Sequence, residues 1–315
     1  MPLSTDEKTL QLSREIIDAF DAANGGVHPG FRPAHAKGVL LTGSFTPAPE
    51  GASLTRAPHV QRPSTPVTAR FSDFAGIPAV ADGDPRGASP RGLAVRFHLA
   101  AHVHTDIVAH SVDAFPTRTP EEFLEFLHAV TDPHAIERFL ATHPAALAFV
   151  QAPKPIPTSF ARESFFAVSA FRFTDARGAS RFGRYRILPL AGNEYLDDAG
   201  AAARGADFLM DEIRQRVAEK PVKFRVVVQL AEASDVTDDA TVRWPETRRQ
   251  IAFGEIELDA VAPDNAAEQR RIIFDPIPRV DGIEASADPL FDPRANVYLM
   301  SGRRRRAADG APRAS

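Results

Sequence analysis

His35 is the residue whose setting most directly suggests chemistry. It lies in Pro29-Gly30-Phe31-Arg32-Pro33-Ala34-His35-Ala36-Lys37-Gly38, which runs straight into an apolar segment. A histidine at a strand entrance, beside an arginine and two small residues, can face a pocket. An imidazole titrating near neutrality can take a proton and return it. A second cluster is Ala69-Arg70-Phe71-Ser72, followed by Asp84-Pro85-Arg86-Gly87 and Arg91-Gly92-Leu93-Ala94-Val95-Arg96-Phe97. A third gathers Phe274-Asp275-Pro276, Gly282-Ile283-Glu284 and Arg294-Ala295-Asn296-Val297-Tyr298. His102 and His104 form an H-x-H pair, and alternate strand residues share a face that can ligate zinc or iron. No third ligand accompanies them at cupin-like spacing, and exposure in a polar turn is the plainer reading. His128, His134 and His143 lie on or beside helical stretches with no partner spacing, which fits surface or packing roles.

Composition narrows the chemistry. The 315 residues contain no cysteine, which excludes disulfides, thiolate catalysis, iron–sulfur clusters and cysteine-ligated zinc. A net charge of −4 gives no overall basic field for nucleic acid or an anionic membrane. The Arg303–Arg306 run is a local basic patch, read together with the tail to Ser315 as solvated and frayed rather than as a nucleic-acid site, with 306–315 expected to be disordered. Residues 1–26 carry charges throughout and no apolar run of signal-peptide length. No stretch approaches the roughly 18 consecutive apolar residues of a membrane span. A cytoplasmic protein without membrane or nucleic-acid partners is expected. Phenylalanine is abundant at 22, against three tyrosines and one tryptophan, so each tyrosine is worth locating.

The elements that would position these residues follow from periodicity and punctuation. Leu10, Leu12, Ile16, Ile17 and Phe20 mark an amphipathic helix stopped at Asn24-Gly25-Gly26. Strand-like runs cover Gly38–Phe45, Val67–Phe71, Gly92–Leu99, Asp106–Ser111, Ser164–Phe173, Phe182–Leu190, Phe224–Leu230 and Ile251–Leu258. Thr174–Gly178 separates two of them as a hairpin turn. Thr119-Pro120-Glu121-Glu122, Asp132-Pro133 and His143-Pro144 open helices, and Asp207–Val217 is another. Eight strands with helices inserted and at the end predict one α+β domain whose antiparallel strands close, or nearly close, into a barrel.

Taken in order, the clusters resemble the catalase family. The resemblance rests on R-x-x-H-A-K-G at Arg32–Gly38, R-F-S at Arg70–Ser72 and R-G-L-A-V-R-F at Arg91–Phe97. It continues through Trp244-Pro245 and Phe274-Asp275-Pro276 to Gly282-Ile283-Glu284 and the R-x-x-x-Y of Arg294 and Tyr298. It spans about Val27 to Arg305. The short length points to the catalase-related peroxidase branch, a catalase core of eight antiparallel strands without the long N-terminal arm or the C-terminal additions.

The resemblance implies haem b and assigns roles. Tyr298 would ligate the iron as phenolate, and Arg294 would stabilise that charge from one helical turn away. His35 would be the distal acid–base, with Ser72 fixing its tautomer. Arg32, Arg70 and Arg305 would hold the haem propionates, arginine offering permanent charge and bidentate geometry. Full catalases carry an asparagine in a G-N-N-T-P segment to polarise peroxide, and His110 stands in the equivalent stretch here. That departure favours a peroxidase reducing hydrogen peroxide or an organic hydroperoxide with an organic donor, with weak catalase activity. Alternatives within reach are rearrangement of a fatty-acid hydroperoxide and non-catalytic haem binding. The short N-terminal arm implies a monomer or homodimer rather than a tetramer.

Overall fold

The computed structural model describes residues 3–309 apart from Arg86. Arg86 of the second cluster and residues 310–315 of the expected tail therefore lie outside the described residues.

Asp6 starts the first helix, accepting a hydrogen bond from Thr9 N at 2.9 Å. Helix α1, Glu7–Ala23, buries the predicted stripe, including Ile16, Ile17 and Phe20. It stops where Asn24 Nδ2 donates to Phe20 O at 2.7 Å. Among the described residues ten strands follow: β1 Gly38–Pro47, β2 Thr65–Ser72, β3 Gly92–Ala100, β4 Val103–His110, β5 Phe165–Phe166, β6 Phe171–Thr174, β7 Ser180–Pro189, β8 Val222–Leu230, β9 Gln250–Val261 and β10 Ile283–Ala285. All named pairings are antiparallel, and the ring β1-β2-β3-β4-β5-β7-β8-β9 closes through β9 on β1. The expected eight-position barrel is therefore present.

One strand differs from expectation. The run Ser164–Phe173 is split into β5 and β6, both lying along the same edge of β7. Between them Ala170 O accepts from Ser286 N at 3.1 Å, and Val168 packs with Ala240 and Leu290. Contacts made far along the chain divert the backbone there, and β10 takes up the free side of β6.

The helices are α2 Pro49–Leu54, α3 Pro120–Ala129, α4 Pro133–Thr142, α5 Pro144–Gln151, α6 Asp198–Ala202, α7 Phe208–Glu219, α8 Asn265–Arg271 and α9 Phe291–Asp309. Thr119 and Glu122 form a full capping box at α3, with Pro120 at its first position. The Arg303–Arg306 run belongs to α9 rather than to a frayed tail: Arg304 pairs with Asp21 of α1, and Arg306 Nε donates to Arg271 O at 3.1 Å. Among the described residues no helix is long and apolar enough to cross a membrane.

The twofold side-chain alternation of strands sorts the sequence into core and site. Val67, Ala69 and Phe71 of β2, Leu93, Val95 and Phe97 of β3, and Ile107 and Ala109 of β4 fill the barrel. Eight phenylalanines of the core are less than 2% exposed: Phe45, Phe71, Phe97, Phe160, Phe165, Phe173, Phe224 and Phe253. Each such burial contributes roughly 1.5–3 kcal/mol, so much of the phenylalanine excess is barrel filling. The opposite parity, with Arg70, Ser72, Gly92, Ala94, Val108 and His110, lines a cavity outside the barrel.

Candidate active site

That cavity lies between the outer sheet face and the helices α1, α3 and α9. Ile16 and Phe20 of α1, Phe115, Phe123 of α3 and Val297 of α9 give it apolar walls. All eight site residues expected from sequence line it: Arg32, His35, Arg70, Ser72, His110, Arg294, Tyr298 and Arg305.

On the sheet side, His35 has φ +57°, in the left-handed region. A non-glycine residue held there costs on the order of 1–3 kcal/mol and persists only when its surroundings fix it. Here they do. His35 N donates to Phe74 O at 2.6 Å, while its carbonyl accepts from Arg70 Nη2 at 3.0 Å. The imidazole Nδ1 lies 3.1 Å from Ser72 Oγ, and the edge-on ring of Phe74 sits 5.4 Å away. A Cβ on Gly92 would come within 2.8 Å of Ser72 Oγ and 2.9 Å of His35 Nδ1. Gly92 is thus required by the His35–Ser72 pair. Its motif was visible in the sequence, but the collision that demands a glycine was not.

His110 is the cross-strand partner of Gly92, which brings its ring centroid to 5.6 Å from that of His35. Neither His110 ring nitrogen has a hydrogen-bond partner among the described residues. Burial, then His110, then Arg70 and Arg32 push the proton affinity of His35 well below the usual histidine range. Burial and then Arg294 push His110 down to about 3. Both imidazoles are therefore neutral at physiological pH.

Arg32, Arg70 and Arg305 form a cationic rim. Arg32 Nη2 and Arg305 Nη2 both donate to Ile272 O, at 3.1 and 2.9 Å. Arg305 also donates to Ser301 Oγ at 2.8 Å, and Arg70 Nε to Gln269 Oε1 at 3.0 Å. None of the three is ion-paired with a carboxylate of the described residues. Burial and then Arg305 lower Arg70 to about 9; burial and then Arg32 lower Arg305 to about 8. Arginine keeps its proton in proteins, so the depression measures desolvation and mutual repulsion that an anion would relieve.

From α9, Arg294 Nη2 approaches Tyr298 Oη at 3.5 Å, a loose contact one turn apart. Arg294, Tyr298, Ser301 and Arg305 follow one another at spacings of four, three and four, a single helical stripe. That spacing singles out Arg305 within the four consecutive arginines. Gln269 had no such signal, being 199 residues from Arg70.

Other clusters are structural. His104 Nδ1 lies 3.1 Å from Asp106 Oδ1, and Arg96 holds that carboxylate at 3.0 and 2.8 Å. His102 occupies the preceding turn with φ +60°. No group of three or more metal-ligating histidine or acidic side chains occurs among the described residues. Arg91 is fully buried, with Nη2 on Asp82 O at 2.7 Å.

A family model described as Catalase matches residues 29–310. The chain belongs to the catalase family. The catalase-related peroxidase of Mycolicibacterium paratuberculosis is 36% identical over 304 residues, covering 94% of this chain and 95% of that protein. The catalase-related peroxidase of Synechococcus elongatus is 32% identical over 298 residues, covering 91% and 86%. A fungal catalase crystal structure shares the fold, with a TM-score of 0.78 at 21% identity, covering 92% of this chain and 62% of that one. Catalase-family membership implies haem, and the residues present fit it. Three guanidiniums without carboxylate partners among the described residues ask for an anionic group, and the apolar walls beside them suit a large apolar ring system. Its two sides offer an imidazole pair and a phenol.

Proposed function

We propose that the protein is a haem b peroxidase that reduces hydrogen peroxide or an organic hydroperoxide and oxidises an organic donor. The observation that carries this reading is a His35–Ser72 pair and a Tyr298–Arg294 pair lining one cavity rimmed by three arginines without acidic partners among the described residues.

Bound haem supplies the iron that accepts the two oxidising equivalents of the peroxide. Tyr298 would hold the iron as phenolate, the tyrosine ligation used by catalase, and Arg294 would favour its charged form. Arg32, Arg70 and Arg305 bind the propionates. Ser72 Oγ accepts from His35 Nδ1, which leaves Nε2 as the base. Neutral His35 removes the peroxide proton and returns it to the departing oxygen. His110 supplies a hydrogen bond in place of the catalase asparagine. The sum is ROOH + AH₂ → ROH + H₂O + A.

Ile16, Phe20, Phe115 and Phe123 suit a hydrocarbon substituent on the peroxide or donor. The same walls favour a second reading, rearrangement of a fatty-acyl hydroperoxide without an external donor. Product analysis separates the two. Holoprotein given a hydroperoxide and an aromatic donor should yield one alcohol for each two-electron oxidation of donor. Consumption of hydroperoxide without donor oxidation or alcohol would overturn the peroxidase reading.

A further inference from the structure

Gln269 lies outside the cavity on α8 yet reaches one of the rim arginines. Its Oε1 accepts from Arg70 Nε at 3.0 Å. Its own Nε2 donates to Asn265 Oδ1 at 2.8 Å, one turn earlier, and Asn265 Nδ2 donates to Leu40 O of β1 at 2.7 Å. A neutral amide relay thus ties the guanidinium through α8 to the barrel wall. On its other side Arg70 Nη2 donates to the carbonyls of His35 at 3.0 Å and Ala36 at 3.2 Å. Gly38 makes room for this arrangement, since a Cβ there would meet Arg70 Nη2 at 2.6 Å. Arg70 Nη1 has no hydrogen-bond partner among the described residues, although the residue lines the cavity.

We infer that Gln269 is a positioning residue for cofactor capture: it fixes Arg70 with a neutral acceptor and leaves Nη1 and an uncompensated positive charge for a haem carboxylate. The inference rests on the haem reading. Its physical content is the choice of amide over carboxylate. A glutamate at the same place would accept the same hydrogen bond but neutralise Arg70 with a charge-assisted pair. An alanine would keep the charge but free one side of the fork. A hydrogen bond to a charged group is worth enough to change an equilibrium about tenfold or more.

The test is haem transfer from holoprotein to excess apomyoglobin, with haemin and with haemin dimethyl ester, which lacks the carboxylates. Gln269→Ala should speed loss of haemin about tenfold, and Gln269→Glu by more, because its carboxylate competes with the propionate. Both variants should lose the dimethyl ester at the wild-type rate. Wild-type rates for haemin in both variants would overturn the role of Gln269 while leaving the haem reading intact. So would equal acceleration with the dimethyl ester, which would show general loosening of the pocket. A wild-type protein unable to hold haemin would overturn both.

Discussion

The Arg70 guanidinium, 3.0 Å from the His35 carbonyl, joins the cationic rim of the cavity to the backbone of His35. His35 occupies a left-handed conformation that its own type disfavours, and Arg70 is one of the groups that hold it there. In the proposed function, grip on the cofactor and orientation of the His35 imidazole therefore share a side chain. Arg32 makes its hydrogen bond to Ile272 O and none to the His35 backbone.

Arg70→Lys should separate the two tasks. Lysine keeps a point charge but cannot serve Gln269, His35 and Ala36 together. Haem loss should quicken and the peroxide reaction per bound haem should slow, whereas Arg32→Lys should affect haem loss alone. Haem transfer and stopped-flow rates measure the two effects. Equal slowing of the peroxide reaction in both variants would deny Arg70 its link to His35.

His35→Ala removes the base and leaves the rim untouched. Haem content should stay near wild type while the rate with hydroperoxide falls on the order of 10²–10⁴-fold. His110→Asn should cost less, because it exchanges one hydrogen-bond donor for another. Unchanged turnover in His35→Ala would remove His35 from the mechanism.

Gly92→Ala places a methyl group within 2.9 Å of His35 and Ser72. The neighbours are ring and hydroxyl atoms of the pair itself, so relief must come from displacing them, at about 1–3 kcal/mol. Activity should fall much further than stability. A kcat/KM assay paired with a melting curve checks this, and near-wild-type activity would show that the pair tolerates displacement.

Much of this arrangement was legible in residue types. The alternation Leu93, Val95, Phe97 against Gly92, Ala94, Arg96 announces a strand with two different faces, and the family motifs locate His35 and Tyr298. The break between β5 and β6 was not legible, because Ala167–Ala170 keep a strand-like apolar character. Their diversion depends on Ser286 and Leu290, far along the chain. The left-handed backbone of His35 was equally hidden, since it is imposed by Phe74 and Arg70 rather than by local preference. Gln269 became visible only when the fold brought α8 beside Arg70.

Acid stability offers a test away from the site. His59 is 1% exposed among Phe45, Phe97 and Phe253, and burial pushes its pKa down to about 3. The unfolded chain takes up this proton near pH 6.5, while the fold refuses it until about 3. The stability involved is present above pH 6.5 and is lost as pH falls toward 3, at about 1.4 kcal/mol per unit. His59→Phe should flatten the fall in urea midpoint between pH 6 and pH 4 relative to wild type. Parallel pH profiles would mean that His59 protonates within the fold.

The absorption spectrum of haem-supplied protein, before and after hydroperoxide, tests the central claim most directly, with Tyr298→Phe measured alongside. Wild type should show a ferric Soret band that shifts with hydroperoxide and returns on adding an organic donor. Tyr298→Phe should hold haem more weakly and give a different ferric spectrum. Absence of a Soret band after reconstitution would contradict the haem reading, and a wild-type spectrum from Tyr298→Phe would contradict the assignment of Tyr298 as the iron ligand.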